Sequence, residues 1–240
     1  MGRDPGSDPV NELAVVRGDL RARFGTGKGV GVQAVFALLV CLATLLGLSP
    51  DADGATPSQV VGGVSIAILV AAAYVAVAIS SGEIAIPGEK TLPDLVMSPF
   101  SAGEIVRGKA ITSAVFAAHL ALATWPAFYF LNALRDGSPW VAAAQAGVVA
   151  AVVWGFAAIG TWLSGAVEGD LVRSLAAWGL LAGVFGLLPL LGFPSFQPVR
   201  AVHPGVAGEL RAMCALFSTV IGALAFWGSA RRIPYLRAET

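Results

Sequence analysis

The sequence predicts an all-α integral membrane protein, with six transmembrane helices preceded by an N-terminal amphipathic interfacial helix and both termini cytoplasmic. Three observations lead there. Apolar residues fill 56% of the 240 positions and charged residues only 12%, against roughly 25% charged in an average soluble domain. The apolar residues are gathered into six runs, each long enough for the roughly 20 helical residues that a hydrocarbon core of about 30 Å requires. Basic residues, finally, fall heavily on one set of connections between those runs.

The 15 basic and 15 acidic residues cancel, so there is no basic excess to hold a nucleic acid, and the placement of charge matters more than its sum. Cys41 and Cys214 both fall inside apolar runs, without the spacing of a metal site or a disulfide framework, and read as small apolar side chains. About 30 polar residues precede the first apolar run. A cleavable signal peptide is built the other way round, so the N-terminus is expected to be retained.

Residues 1–30 form the N-terminal cytoplasmic segment. Within it, 8–24 place Leu13, Val16, Leu20 and Phe24 at spacings of three and four, with Arg17, Arg21 and Arg23 on other faces. That pattern suits a helix lying in the membrane interface with its arginines on anionic headgroups; Asp8 or Asn11 is available to cap it. The following GTGKG lacks the phosphate-loop spacing, since Ala22 stands where the first glycine belongs and Gly29 where the hydroxyl belongs. Gly25 to Gly29 is expected to be a flexible joint.

The transmembrane domain occupies 31–230, with spans near 31–49, 59–81, 109–134, 140–166, 172–193 and 207–229, and 231–240 is a cytoplasmic tail. No Asp, Glu, Lys or Arg lies in the middle of a run, where a charge costs about 2.5 to 3.5 kcal/mol. With the N-terminus inside, Arg3, Arg17, Arg21, Arg23, Lys28, Lys90, Arg107, Lys109, Arg173, Arg231, Arg232 and Arg237 are cytoplasmic, and Arg135, Arg200 and Arg211 are outside. The segment 193–205, rich in proline and carrying His203, is either an ordinary outer loop or a partial re-entrant piece buried against protein. Gly62, Gly63, Gly155, Gly160, Gly165, Gly179, Gly183 and Gly186 allow close helix approach. Pro126 is expected to kink the third span, and Trp140, Trp162 and Trp227 lie near span ends as interfacial aromatics do.

Between the second and third runs lies the longest polar interruption, Ser81 to Lys109, with Glu83, Glu89, Asp94 and Glu104 against Lys90, Arg107 and Lys109. Pro87, Pro93 and Pro99 divide it. Thr91 or Pro93 opens a short helix through Met97, giving an apolar edge of Leu92, Leu95, Val96 and Met97 beside Asp94. Pro99 ends it. Ser101 then caps a second helix in the box pattern Ser101 to Glu104, which continues through Arg107 and Lys109 into the third span. A short helix fixed to a membrane helix transmits a push, and a long loop with its own helical pattern is more often functional than not.

Catalysis finds little support. The two histidines, His119 in the third run and His203 in the last outer segment, have no HExxH pattern, paired intramembrane carboxylates or GxSxG around them. The chain is expected to be no enzyme and to hold no cofactor or metal of its own.

The succession of NELAVVRGDLRARF, two spans and GEKTLPDLVMSPFSAGEIVRGK entering a third resembles permease subunits of type-2 ATP-binding-cassette (ABC) exporters. The positions that carry the likeness are Glu89-Lys90, Thr91-Leu92, Leu95-Val96, Ser98 to Ser101, Glu104 to Val106 and Gly108-Lys109, and the WLSGAVEGDLVRS connection is similar to that family's inner turn between spans four and five. Lys90 replaces a usual glycine, and Pro93-Asp94 replaces an acidic residue followed by leucine. The resemblance implies a plasma-membrane half-transporter that pairs with a second permease subunit, the same or a different one, and docks the 82–109 coupling loop on a separately encoded ATPase. That ATPase would carry the ATP and magnesium. Asp94, Leu95 and Met97 are then the expected contacts, and the charge-poor spans suit a hydrophobic or amphipathic cargo surrounded by membrane lipid. A six-span secondary transporter or channel is the alternative, distinguished by intramembrane ions or broken helices in related halves. A membrane scaffold or assembly protein is the third reading, distinguished by having no ATPase partner.

Overall fold

The computed structural model describes residues 9–25, 27–47, 57–80, 102–133, 137–167, 169–187, 190 and 198–238. Among them there is no strand. The helices are α1 (Pro9–Gly25), α2 (Gly27–Gly47), α3 (Pro57–Ser80), α4 (Ala102–Ala133), α5 (Pro139–Ala166), α6 (Asp170–Ala182), α7 (Pro198–Ala201) and α8 (Gly208–Ala238). A single π-helical turn, Gly183–Leu187, extends α6.

Four of these helices are long and apolar enough to cross a membrane: α3, α4, α5 and α8. The first and fifth expected spans are represented by shorter apolar stretches, Val30–Leu45 and Leu171–Leu187. A helical, membrane-embedded architecture therefore accounts for the composition.

Local chemistry sets several of the boundaries. At the start of α5, Ser138 is extended and its Oγ accepts from the Trp140 N–H at 3.3 Å, with Pro139 in the first helical position, where its missing N–H costs nothing. Gly137 N–H closes the preceding turn onto Asn132 O at 2.9 Å. Between α5 and α6, Gly169 has φ +84°, a conformation that favours glycine, and its carbonyl receives the Arg173 N–H at 3.1 Å. Hydroxyls within the long helices turn back on their own backbone, as in Thr112 Oγ1 to Gly108 O at 2.9 Å and Thr161 Oγ1 to Ala157 O at 3.0 Å. Those two hydroxyls therefore present no open donor toward hydrocarbon.

Helix α5 is the hub. It packs against α3, α4 and α8, while α1 lies on α4 and α2, and α6 lies on α3. The main core joins Ile68, Leu69 and Ala72 of α3 to Phe116, Leu120 and Phe128 of α4 and to Val149 and Val153 of α5. Of the apolar window of α5, 61% is buried, against 22% for α8, so α8 is a flank whose Leu216, Val220, Leu224 and Trp227 remain exposed.

Close helix approach is concentrated where α5 crosses α8. A Cβ added to Gly155 would lie 2.9 Å from Ser218 O, and one added to Gly222 would lie 2.5 Å from the Trp154 ring. Of the glycines picked out above, Gly63, Gly179, Gly183 and Gly186 face open space; the pair that matters is Gly155 with Gly222.

Several boundaries differ from expectation. The joint at Gly25 to Gly29 is largely helical, because α2 already begins at Gly27, adding a turn at the foot of the first apolar run. Helix α8 runs on to Ala238, past the expected span end at 229, because the RRIPYLRA sequence continues the helix. Helix α4 does start before Lys109, at Ala102, and is continuous for 32 residues through Pro126.

Candidate functional site

Of the residues picked out in the polar loop, Glu89, Thr91, Leu92, Asp94, Leu95, Val96, Met97, Pro99 and Ser101 lie outside the described residues. Glu104, Arg107 and Lys109 are within them, in the first turns of α4. The root of the loop is therefore the part of the site that has geometry.

That root is buried. Glu104 is 1% exposed and Lys109 5%, whereas Arg107 is exposed. Ile105 and Val106 fix this end of α4 by packing with Ala158 of α5 and Phe226 of α8. Lys109 Nζ reaches Asp19 Oδ1 of α1 at 2.9 Å. About two and three turns beyond Lys109, Phe24 of α1 meets the rings of Phe116 and His119 edge-on, with centroids 6.0 and 5.0 Å apart. Arg173, at the start of α6, is also buried, at 2% exposure. Buried ionic groups remain charged only when paired and hydrogen-bonded, so this end of the bundle is a constrained polar layer, and α1 and α4 are held to each other by an ion pair and an aromatic contact.

In the second half of α1, which packs on α4 and α2, exposure alternates by face. Val16, Leu20 and Phe24 are half-buried and Arg17 and Arg21 exposed, but Leu13 also stays exposed. His119 serves as a helix-contact residue through Phe24.

Nothing local marks Asp19 in the sequence, since a lone aspartate among arginines reads as part of a solvated face. A second missed feature occupies the opposite end of the bundle. Arg211, expected among the outer basic residues, is 8% exposed. Its Nε donates to Ala201 O at 3.2 Å, and its Nη2 to His203 O at 2.9 Å and Pro204 O at 3.0 Å. Gln145 Nε2 donates to Val202 O, while Asn132 Nδ2 donates to Gln145 Oε1 at 2.7 Å. His203 lies so close to α3 that a Cβ on Gly62 would fall 2.7 Å from its ring.

Neither a family model nor a curated protein matches this chain.

The two polar layers thus stand on their own geometry. The first fixes the exit of the polar loop; the second folds the 198–204 turn back into the bundle, with Pro198, Ala201 and Val202 buried. Gln145 lies six residues into α5, so at 1.5 Å per residue the turn reaches about 9 Å past the helix end. Among the described residues no group of three or more His, Cys, Asp or Glu is placed to hold a metal.

A double-mutant cycle measures the first layer. Lys109→Met and Asp19→Asn are each expected to destabilise the purified protein, with a coupling of about 1 to 2 kcal/mol, discounted because the aspartate is partly exposed. Additive effects in an unfolding titration would mean that α1 is not held through this pair.

Proposed function

We propose that the chain is the permease subunit of an ATP-driven exporter of the type-2 ABC class, taking a hydrophobic or amphipathic cargo across the plasma membrane as half of a two-subunit pathway. The observation that carries this reading is the exit of the polar loop. It leads into a continuous 32-residue helix whose first turns are buried and whose Lys109 is paired with Asp19 of α1. An element built in this way transmits displacement along its length, whereas a loop on a frayed helix would absorb it. The GEKTLPDLVMSPFSAGEIVRGK likeness supplies the partner, a separately encoded ATPase touching Asp94, Leu95 and Met97.

In this reading six spans cross the bilayer with both termini cytoplasmic, which the twelve-to-three distribution of flanking basic residues favours. Closure of two ATPase subunits around ATP and magnesium pushes the 91–97 segment. Helix α4 then tilts with α1, and the opposite end of the bundle opens.

The test is co-purification from native membranes. A protein with nucleotide-binding motifs should come down with the chain, and Asp94→Arg combined with Leu95→Ser and Met97→Ser should lower its recovery at least ten-fold and abolish cargo-stimulated ATP hydrolysis. Unchanged recovery and hydrolysis would remove the docking assignment.

A further inference from the structure

We propose that a cavity of about 140 Å³ between α5, α8, the π turn and α7 is a binding site for the terminal part of one alkyl chain of a bilayer lipid. The site stands independently of any ATPase partner.

Its walls explain its existence. At the Gly155 and Gly222 crossing, α5 and α8 are in backbone contact; beside the crossing, Val152 and Phe156 of α5 and Phe217 and Ile221 of α8 leave a gap. The π turn lends Val184 to the opposite wall, and its Phe185 stacks on Phe156 with centroids 5.7 Å apart and an interplanar angle of 12°. Pro198 closes one end, and the turn it begins is held in place by Arg211 and Gln145.

Chemistry selects the occupant. Among the described residues the lining contains no charged side chain, and its one polar side chain is Ser218. A ligand that needed a counter-charge would find none among them. A cavity of similar size and lining in a soluble protein stays dry and accepts a benzene-sized group, or about six carbons. Atoms around an unfilled void lose their dispersion partners on one side, which an alkyl chain restores.

Depth selects which part of the lipid. Phe217 and Ile221 are 9 and 13 residues from Gly208 and 14 and 10 from Arg231, the ends of the α8 apolar stretch. At 1.5 Å per residue the cavity is therefore roughly 15 Å from either end, at the level where the chains of two leaflets meet. Headgroups do not reach that level; chain termini do. The exposed Leu216, Val220 and Leu224 flank it on α8, so its surroundings are hydrocarbon.

The experiment uses the full chain in nanodiscs of phosphatidylcholine carrying one 16-carbon chain with a diazirine either at its terminal end or next to its carboxyl group. After illumination, labelled residues are mapped by mass spectrometry. The terminal probe should label 152–159 and 217–221 at least five-fold more than the exposed Leu122 of α4, and the carboxyl-proximal probe should show no such preference. Val184→Trp should lower the cavity labelling at least five-fold and leave Leu122 unchanged; Ile221→Phe serves if the first variant does not fold. Labelling no stronger than at Leu122, equal labelling by both probes, or labelling undiminished in the filled variants each overturns the proposal. So does a cavity left unlabelled because a second copy of the chain cross-links over it.

Discussion

Replacing Arg211 with Met should release the 198–204 turn from the bundle and destabilise the protein by about 3 kcal/mol, a figure typical of losing hydrogen bonds made by a charged donor. The guanidinium serves three carbonyls, those of Ala201, His203 and Pro204, and its planar fork is what allows one side chain to meet all of them. Arg211→Lys keeps the charge but not the fork, and should recover less than half of the loss. Hydrogen exchange supplies a readout specific to this turn: the Val202, His203 and Val206 amides, each bonded locally, should lose protection while those of α3 keep theirs. Protection unchanged in Arg211→Met would mean that Gln145 alone holds the turn and that the arginine is incidental.

Gly222→Leu should prevent assembly of α8 on α5 and yield no stable protein, and Gly222→Ala should already destabilise it by about 1 to 3 kcal/mol, the usual range for overpacking. The reason is a lack of escape routes. The Trp154 ring, which an added Cβ would strike, packs against Phe226 with centroids 5.6 Å apart and donates from Nε1 to Ala110 O at 3.4 Å. On the other side, the Cα of Gly155 would lie 3.2 Å from the added atom, and backbone does not rotate away. Gly63→Ala is the control. Nothing lies within 4 Å of its added Cβ, so it should be neutral or stabilising by up to about 1 kcal/mol through helix propensity. Similar losses from both variants in detergent unfolding would contradict a specific α5–α8 crossing.

Periodicity and hydropathy predicted the helices well because each run's composition decides its solvent. A run of about 20 apolar residues satisfies its backbone internally whatever its neighbours are. Helix α5 begins at Pro139, one residue before the expected 140, because Ser138 caps it and proline suits the first helical position. The helix that enters the third span was read ahead of Lys109, and α4 does begin before it, at Ala102. The joint at Gly25 to Gly29 was misread because glycine content reports only intrinsic propensity, which does not by itself decide where a helix begins.

Which residues meet across the bundle was not legible. Eight glycines looked alike in sequence, yet the crossing uses Gly155 with a ninth, Gly222, because helix rotation selects the contacting face and rotation is set by all neighbours together. Asp19 and Lys109 are 90 residues apart, and nothing local links them. Arg211 read as an outer flanking cation; its burial follows only once α7 folds back and brings the Ala201, His203 and Pro204 carbonyls to it. By itself, then, the sequence determined a helical membrane-embedded chain with a long polar loop, since hydropathy and capping act over a few residues. Tertiary structure alone decided that the loop's root is buried and tied to α1, that the 198–204 turn enters the bundle, and that a mid-depth cavity remains between them. Those features depend on side chains far apart in the chain arriving at the same place.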